Sequence, residues 1–352
     1  MSPLLVSVLA LLLAGVVLVA TGTRLARTAD VLGERTGLGD AVAGALLLGA
    51  VTSLPGIVTT VTGGLQGDAA FALANPVGGV ALQTVWLAVA DLVYRRANLE
   101  HAAASIENVM QALILVALLA IPVIAYATPE LVWGWIHPAT LLVPAFYAYG
   151  FVLLRRMRRA PMWKPTGTRD TRTDDDVAAG AEGDEPPEVA ADGETDQRTT
   201  RQLWTSLALL AVVVGSAGWV IGRAGVALVR ATGLPSEIVG FTVTTALTSL
   251  PELVVLIAAV RLGALTLGVG NIIGGNVFDT LMIAVADVSY LDGSVYAAAG
   301  PSSLVLLGGT VLLTTLLAGG LIMRDRQGVG FEGVAIPLAW AGTVTLAVVV
   351  TT

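Results

Sequence analysis

The sequence predicts an all-α membrane protein, with ten transmembrane helices arranged as two inverted five-helix repeats. Three observations predict it: a succession of long apolar runs, an uneven distribution of arginine between them, and a repeat at a fixed shift of 196 residues.

Of 352 residues, 55% are hydrophobic and 13% charged, and the mean hydropathy is +0.81. A water-soluble domain carries about a quarter charged residues. Many of the charges fall in one stretch near the middle of the chain. Outside it, the apolar runs are long enough to cross a hydrocarbon core of about 30 Å as helices. The candidate spans are 3–22, 38–62, 69–93, 105–125, 131–154, 203–222, 236–260, 264–287, 301–322 and 330–350. Basic residues follow the first run rather than precede it, the reverse of a secretory signal, so it is expected to be a retained helix.

Arginine orients these spans. Connections after odd-numbered spans hold Arg24, Arg27, Arg35, Arg95, Arg96, Arg155, Arg156, Arg158, Arg159, Arg261, Arg324 and Arg326, whereas those after even-numbered spans hold only Arg223 and Arg230. Basic connections stay in the cytoplasm. The expected topology is therefore multi-pass in the cell membrane with both termini outside.

Residues 156–201 read as a disordered, acidic cytoplasmic loop between an N-terminal half (1–155) and a C-terminal half (202–352). The stretch contains Asp174, Asp175, Asp176, Pro186 and Pro187 and has no aromatic residue after Trp163, so it cannot bury a core. Its aspartates lack the alternating spacing and the glycine of a helix-loop-helix calcium loop. The absence of cysteine excludes disulfides and thiol chemistry. A net charge of −7, with Lys164 as the sole lysine, leaves no basic surface for nucleic acid. The expected surroundings are the lipid bilayer, and the sequence does not assign an oligomeric state.

The repeat carries the functional argument. At the shift of 196, Ala50-Val51-Thr52-Ser53-Leu54-Pro55 falls on Ala246-Leu247-Thr248-Ser249-Leu250-Pro251. Asn75 falls on Asn271, Gly78-Gly79 on Gly274-Gly275, and Ala88-Val89-Ala90-Asp91 on Ala284-Val285-Ala286-Asp287. The copies span about 40–91 and 236–287. The first begins in an outward-running span and the second in an inward-running one, so they are expected to be inverted. Inverted repeats with interrupted helices at matching places are an architecture of secondary transporters, with the site near the midplane where the repeats meet.

Thr248, Ser249 and Glu252 share one helix face. Pro251 and Pro55 lack an N–H, which deprives the carbonyls of Leu247 and Val51 of their helical partners and predicts a break in each helix. Hydroxyls, carbonyls and a carboxylate form the hard oxygen set that Na⁺ or Ca²⁺ takes. Asn271, Asn276 and Asp279 follow in the next span. A carboxylate deep in a span costs about 2.5–3.5 kcal/mol on insertion scales, which marks Glu252 and Asp279 as candidate metal ligands. Together their charge matches one Ca²⁺. Asp91, Asp287 and Glu107 lie at span ends and are expected to be interfacial.

Gly268-Val269-Gly270-Asn271-Ile272-Ile273-Gly274 has the spacing of a dinucleotide loop but lies within a span and lacks the strand–turn–helix setting. His101 and His137 stand at span ends, and no nucleophile–base pair or metalloprotease motif appears. Neither an enzyme nor a resident cofactor is expected.

Thr248-Ser249-Leu250-Pro251-Glu252 followed by Gly270-Asn271-Ile272-Ile273-Gly274-Gly275-Asn276-Val277-Phe278-Asp279 resembles the second α-repeat of the sodium/calcium exchanger (calcium/cation antiporter) family. The resemblance implies alternating access, Ca²⁺ or Na⁺ moved against Na⁺ or H⁺, and Glu252, Asp279, Thr248, Ser249, Asn271 and Asn276 in the ion pathway. The first repeat departs from the pattern. Gly56 stands where the family has a glutamate, Val80 replaces the second asparagine, Ala74 the first glycine, and Pro76 interrupts the motif. Gln83 falls where Asp279 falls in the other copy. Thr52, Ser53, Pro55 and Asn75 remain as that copy's contribution. With a charge of about −2, one Ca²⁺ could be neutralised but several Na⁺ could not. A cation antiporter of altered stoichiometry is the expectation, and a non-transporting homologue with a regulatory or partner role is the alternative.

Overall fold

A computed structural model describes residues 2–36, 49–93, 105–159, 162–163, 198–262, 265–323 and 330–351. Most of the acidic loop, the start of the second expected span, and Arg95, Arg96, His101, Arg324 and Arg326 lie outside the described residues.

The described chain is helical, with one isolated β-bridge between Trp133 and Ile136. The helices are α1 (Pro3–Thr36), α2 (Leu54–Leu65), α3 (Ala69–Val93), α4 (Ile106–Tyr126), α5 (Ala139–Arg159), α6 (Thr200–Thr232), α7 (Ser236–Thr248), α8 (Leu250–Leu262), α9 (Leu265–Ser289), the short α10 (Val295–Ala298), α11 (Pro301–Ile322) and α12 (Phe331–Thr351).

Local chemistry sets their ends. Thr199 and Gln202 form a reciprocal capping box at the start of α6, and Gly233 closes that helix in the left-handed region at φ 71°, where only glycine is unstrained. Asp68 Oδ1 accepts the N–H of Phe71 at 3.0 Å and so opens α3. Ser105 caps α4 through the N–H of Glu107.

Among the described residues seven helices are long and apolar enough to cross a membrane, and the pair α7 and α8, bent by 52° at its break, passes the same test when taken together. Two expected spans, 38–62 (α2) and 131–154 (α5), are not among the seven. Of span 38–62, only the part from residue 49 onward is described, and α2 is correspondingly short. The span expected at 131–154 begins eight residues later, at Ala139. Gly134, at φ 68°, and Pro138 place a turn where the hydropathy alone continues the run.

The helices are not equivalent. α3 is buried along most of its length and α9 along about half, whereas α1, α6 and α12 bury much less of theirs. α3 packs on α2, α7, α9 and α11, and α2 also packs on α6 and α9. α1 lies along α6, and α4, α5, α11 and α12 cover the opposite side. The two repeat copies, about 40–91 and 236–287, fall on α2–α3 and on α7–α9.

Hydrogen bonds gather the connections at opposite ends. Arg35 Nη1 donates to the carbonyl of Arg198, joining the end of α1 to the approach to α6. At the other end, Ser236 Oγ donates to Asp68 Oδ2 at 2.7 Å, and Trp135 Nε1 donates to the carbonyl of Val288 at 3.1 Å. Asp287 accepts the N–H of His137 at 2.7 Å, the N–H of Val295 at 2.8 Å and the hydroxyl of Thr140. Asp287 and Asp91, near the ends of their helices, are both buried within the protein. Asp287 ties two connections to α9, and charge-assisted hydrogen bonds of this kind hold a buried carboxylate at acceptable cost.

Candidate functional site

Both repeats break at the same serine. Ser53 has φ −79° and ψ −3°, at the edge of the α basin, and Ser249 has φ −98° and ψ 10°, the bridge conformation outside it. Ser53 N–H donates to Gly49 O, and Ile57 N–H to Ser53 O. Ser249 N–H donates to Thr245 O, and Leu253 N–H to Ser249 O. Each of these bonds recurs 196 residues later. The new helices start at Leu54 and Leu250, so Pro55 and Pro251 occupy the first turn, where a missing N–H costs nothing. α7 carries a second irregularity, a π-helical turn at Val239–Thr244, in which Thr244 and Thr245 turn their hydroxyls to Gly240 O at 3.1 and 2.8 Å.

Between these breaks lies a cavity of about 10 Å³, lined by Ser53, Gly56, Asn75, Gly79, Gln83, Thr248, Ser249, Glu252, Asp279 and Met282. That is about the room one water molecule or one small ion occupies. Glu252 is 8% exposed and Asp279 2% exposed. Glu252 Oε2 is buried with no hydrogen-bond partner, a costly position for a carboxylate oxygen unless a cation or proton meets it. Asp279 differs. Ser53 Oγ donates to its Oδ1, and Gln83 Nε2 donates to its Oδ2 at 3.0 Å. Gln83 Nε2 also reaches Ser249 Oγ at 3.4 Å, while Gln83 Oε1 has no partner.

Six of the nine residues expected from the sequence as ligands line this cavity: Ser53, Asn75, Thr248, Ser249, Glu252 and Asp279. Asn75 has both ends of its amide engaged. Its Nδ2 donates to Gly56 O at 3.2 Å and to Thr60 Oγ1 at 3.1 Å, and its Oδ1 accepts from Thr244 Oγ1 at 3.0 Å. It therefore ties α3 to α2 and α7. Thr52, Asn271 and Asn276 do not line the cavity. Thr52 turns its hydroxyl back to Gly49 O at 3.3 Å. Asn276 donates across to Val80 O and Thr84 Oγ1, both at 3.4 Å.

Gln83 and Met282, with Gly56 and Gly79, complete the lining without having been read as ligands. Gln83 is the repeat-mate of Asp279, and the shift itself points to it. Met282 has no such signal, since its mate is Trp86 and it is one apolar residue in an apolar helix. Two glycines outside the matched segments also obey the shift. A Cβ on Gly218 of α6 would lie 2.6 Å from Pro55 O. A Cβ on Gly22 of α1 would lie 2.6 Å from Pro251 Cγ. The missing side chains let α6 and α1 seat directly on the two broken helices.

The family model described as sodium/calcium exchanger protein matches residues 6–154 and 201–349. Among solved structures, the sodium-calcium exchanger NCX_Mj has a TM-score of 0.59 at 15% identity, over 97% of this chain and 99% of that one. The H⁺/Ca²⁺ exchanger CAX has a TM-score of 0.59 at 14% identity, over 98% of this chain and 87% of that one. Native YfkE has a TM-score of 0.61 at 13% identity, over 96% and 92%. A comparison with curated proteins found no match. Likeness at these identities establishes the fold, and the family model covers most of both halves: the chain belongs to the sodium/calcium exchanger protein family.

Proposed function

We propose that the protein is a secondary active cation antiporter that moves Ca²⁺ or Na⁺ against Na⁺ or H⁺ by alternating access, with Glu252 and Asp279 holding the cation. The observation that carries this reading is the cavity itself: two buried carboxylates and three hydroxyls from both broken helices surround the room for one small ion. A charge of about −2 balances one divalent cation, and the hydroxyl oxygens of Ser53, Thr248 and Ser249 supplement it as neutral hard ligands. To take a cation, Asp279 exchanges its bonds with Ser53 and Gln83 for the ion. Glu252 already presents an unpartnered oxygen.

The same reading treats the chain as ten spans in two inverted halves, both termini outside and the 156–201 loop in the cytoplasm. Contacts between repeat-mates support the inversion. Gln83 meets Asp279 and Val80 meets Asn276, pairs 196 apart. The bond from Ser53 to Asp279 has its mirror in the bond between Gln83 and Ser249. The approach of Gly218 to Pro55 is mirrored by that of Gly22 to Pro251. Such pairings are what a two-fold axis in the membrane plane would produce.

The non-transporting alternative draws on Gly56, whose missing carboxylate leaves both acidic ligands in one repeat. The unpartnered Glu252 oxygen favours transport, because a retired site would be expected to satisfy or replace it.

Proteoliposomes containing the full chain provide the test. Uptake of ⁴⁵Ca²⁺ is expected under an imposed Na⁺ or H⁺ gradient and not without one. Absence of uptake under either gradient, from protein shown to be folded, would overturn Ca²⁺ antiport.

A further inference from the structure

The space beside Gly56 is occupied. A Cβ at that position would lie 3.3 Å from the sulfur of Met282, 3.5 Å from its methyl carbon and 3.9 Å from Asn75 Nδ2. Met282 is buried at 4% exposure and lines the same cavity as Glu252 and Asp279. Where a longer residue at 56 would project, the site has a thioether.

We propose that Met282 is a cation ligand, and that its sulfur makes the cavity a mixed oxygen–sulfur site that binds soft and borderline divalent cations, Cd²⁺ and its relative Zn²⁺, more tightly than Ca²⁺. The inference rests on the reading of Glu252 and Asp279 as the cation site.

Hard cations take oxygen, whereas thioethers favour softer metals. An all-oxygen cage for Ca²⁺ needs six to eight ligands. Several oxygens at this cavity are already engaged: Asn75 Oδ1 accepts from Thr244, and the two carboxylate oxygens of Asp279 accept from Ser53 and Gln83. A softer divalent ion is satisfied by fewer ligands and gains from the sulfur. The unbranched methionine can swing its sulfur toward an ion without disturbing the backbone. Trp86, its repeat-mate, does not line the cavity, so the sulfur breaks the symmetry of the site.

The absence of cysteine makes the test direct, since any sulfur bound to metal must come from methionine. Cadmium K-edge X-ray absorption on the full chain in detergent is expected to show a sulfur neighbour beside oxygens in the wild type and oxygens alone in Met282→Leu. Cd²⁺ affinity should fall roughly tenfold in that variant, the low end of what losing a metal-site partner costs, and Ca²⁺ affinity should fall several times less. A wild-type shell of oxygen alone overturns the proposal with no variant needed. Sulfur that persists in Met282→Leu, or equal weakening for both ions, also overturns it. Glu252→Gln separates the two readings. Cadmium bound equally well in that variant would refute the carboxylate site, whereas cadmium that needs Glu252 but has only oxygen neighbours refutes the thioether alone.

Discussion

Glu252→Gln is expected to abolish cation flux, lowering it by about a hundredfold or more. The substitution keeps the shape of the side chain and removes its charge. In the wild type, Glu252 Oε2 is buried without a hydrogen-bond partner, so its charge has to be met by an ion or a proton. In the variant a divalent cation would face Asp279 alone, and Asp279 already receives hydrogen bonds from Ser53 and Gln83. Removing one partner of a buried charge pair costs about 3 kcal/mol or more, which is about a hundredfold in affinity. Flux in proteoliposomes, normalised to folded protein, reads the effect. Wild-type flux in this variant would remove Glu252 from the pathway.

Gly218→Ala is expected to reduce flux roughly tenfold, whereas Gly215→Ala, one turn earlier on α6, is expected to behave as wild type. The two differ only in what the added methyl meets. At Gly218 it lands 2.6 Å from Pro55 O and 2.9 Å from Pro55 Cα, which are backbone atoms that cannot rotate away. At Gly215 the nearest atoms are side-chain carbons of Val58 and Leu54, at 3.8 and 4.0 Å. Overpacking of this kind costs about 1–3 kcal/mol. Here the strain falls on the start of α2, between Ser53 and Gly56 of the cavity. Gly22→Ala should show a milder version, because its methyl meets the ring of Pro251 rather than backbone. Equal flux in Gly218→Ala and Gly215→Ala would show that the close approach is not required.

The sequence made the helices, the repeat and the two breaks legible because each rests on a local or a periodic signal. Hydropathy runs mark the spans, and a proline two residues past a serine marks a helix restart. The lining of the cavity was only partly legible, for a geometric reason. Helical periodicity says which residues share a face and not which neighbour that face meets. Thr52 precedes the break at Ser53, and its hydroxyl turns back to its own helix. Asn276 shares a face with Asp279 but reaches α3 at Val80 and Thr84 instead of the cavity. Asp287, near the end of α9, reads from the sequence as a span-end charge, and only the structure shows that it clamps two connections. Met282 was invisible because its importance comes from Gly56, 226 positions earlier, whose missing side chain leaves the space it fills.

The central claim is that one divalent cation binds between the two broken helices, held by Glu252 and Asp279. Equilibrium dialysis with ⁴⁵Ca²⁺ and with ¹⁰⁹Cd²⁺, on the full chain in detergent, tests it most directly. The account predicts one ion per chain for either metal, each displacing the other, with binding lost in Glu252→Gln and in Asp279→Asn. Two or more ions per chain, or binding that survives both substitutions, would contradict it.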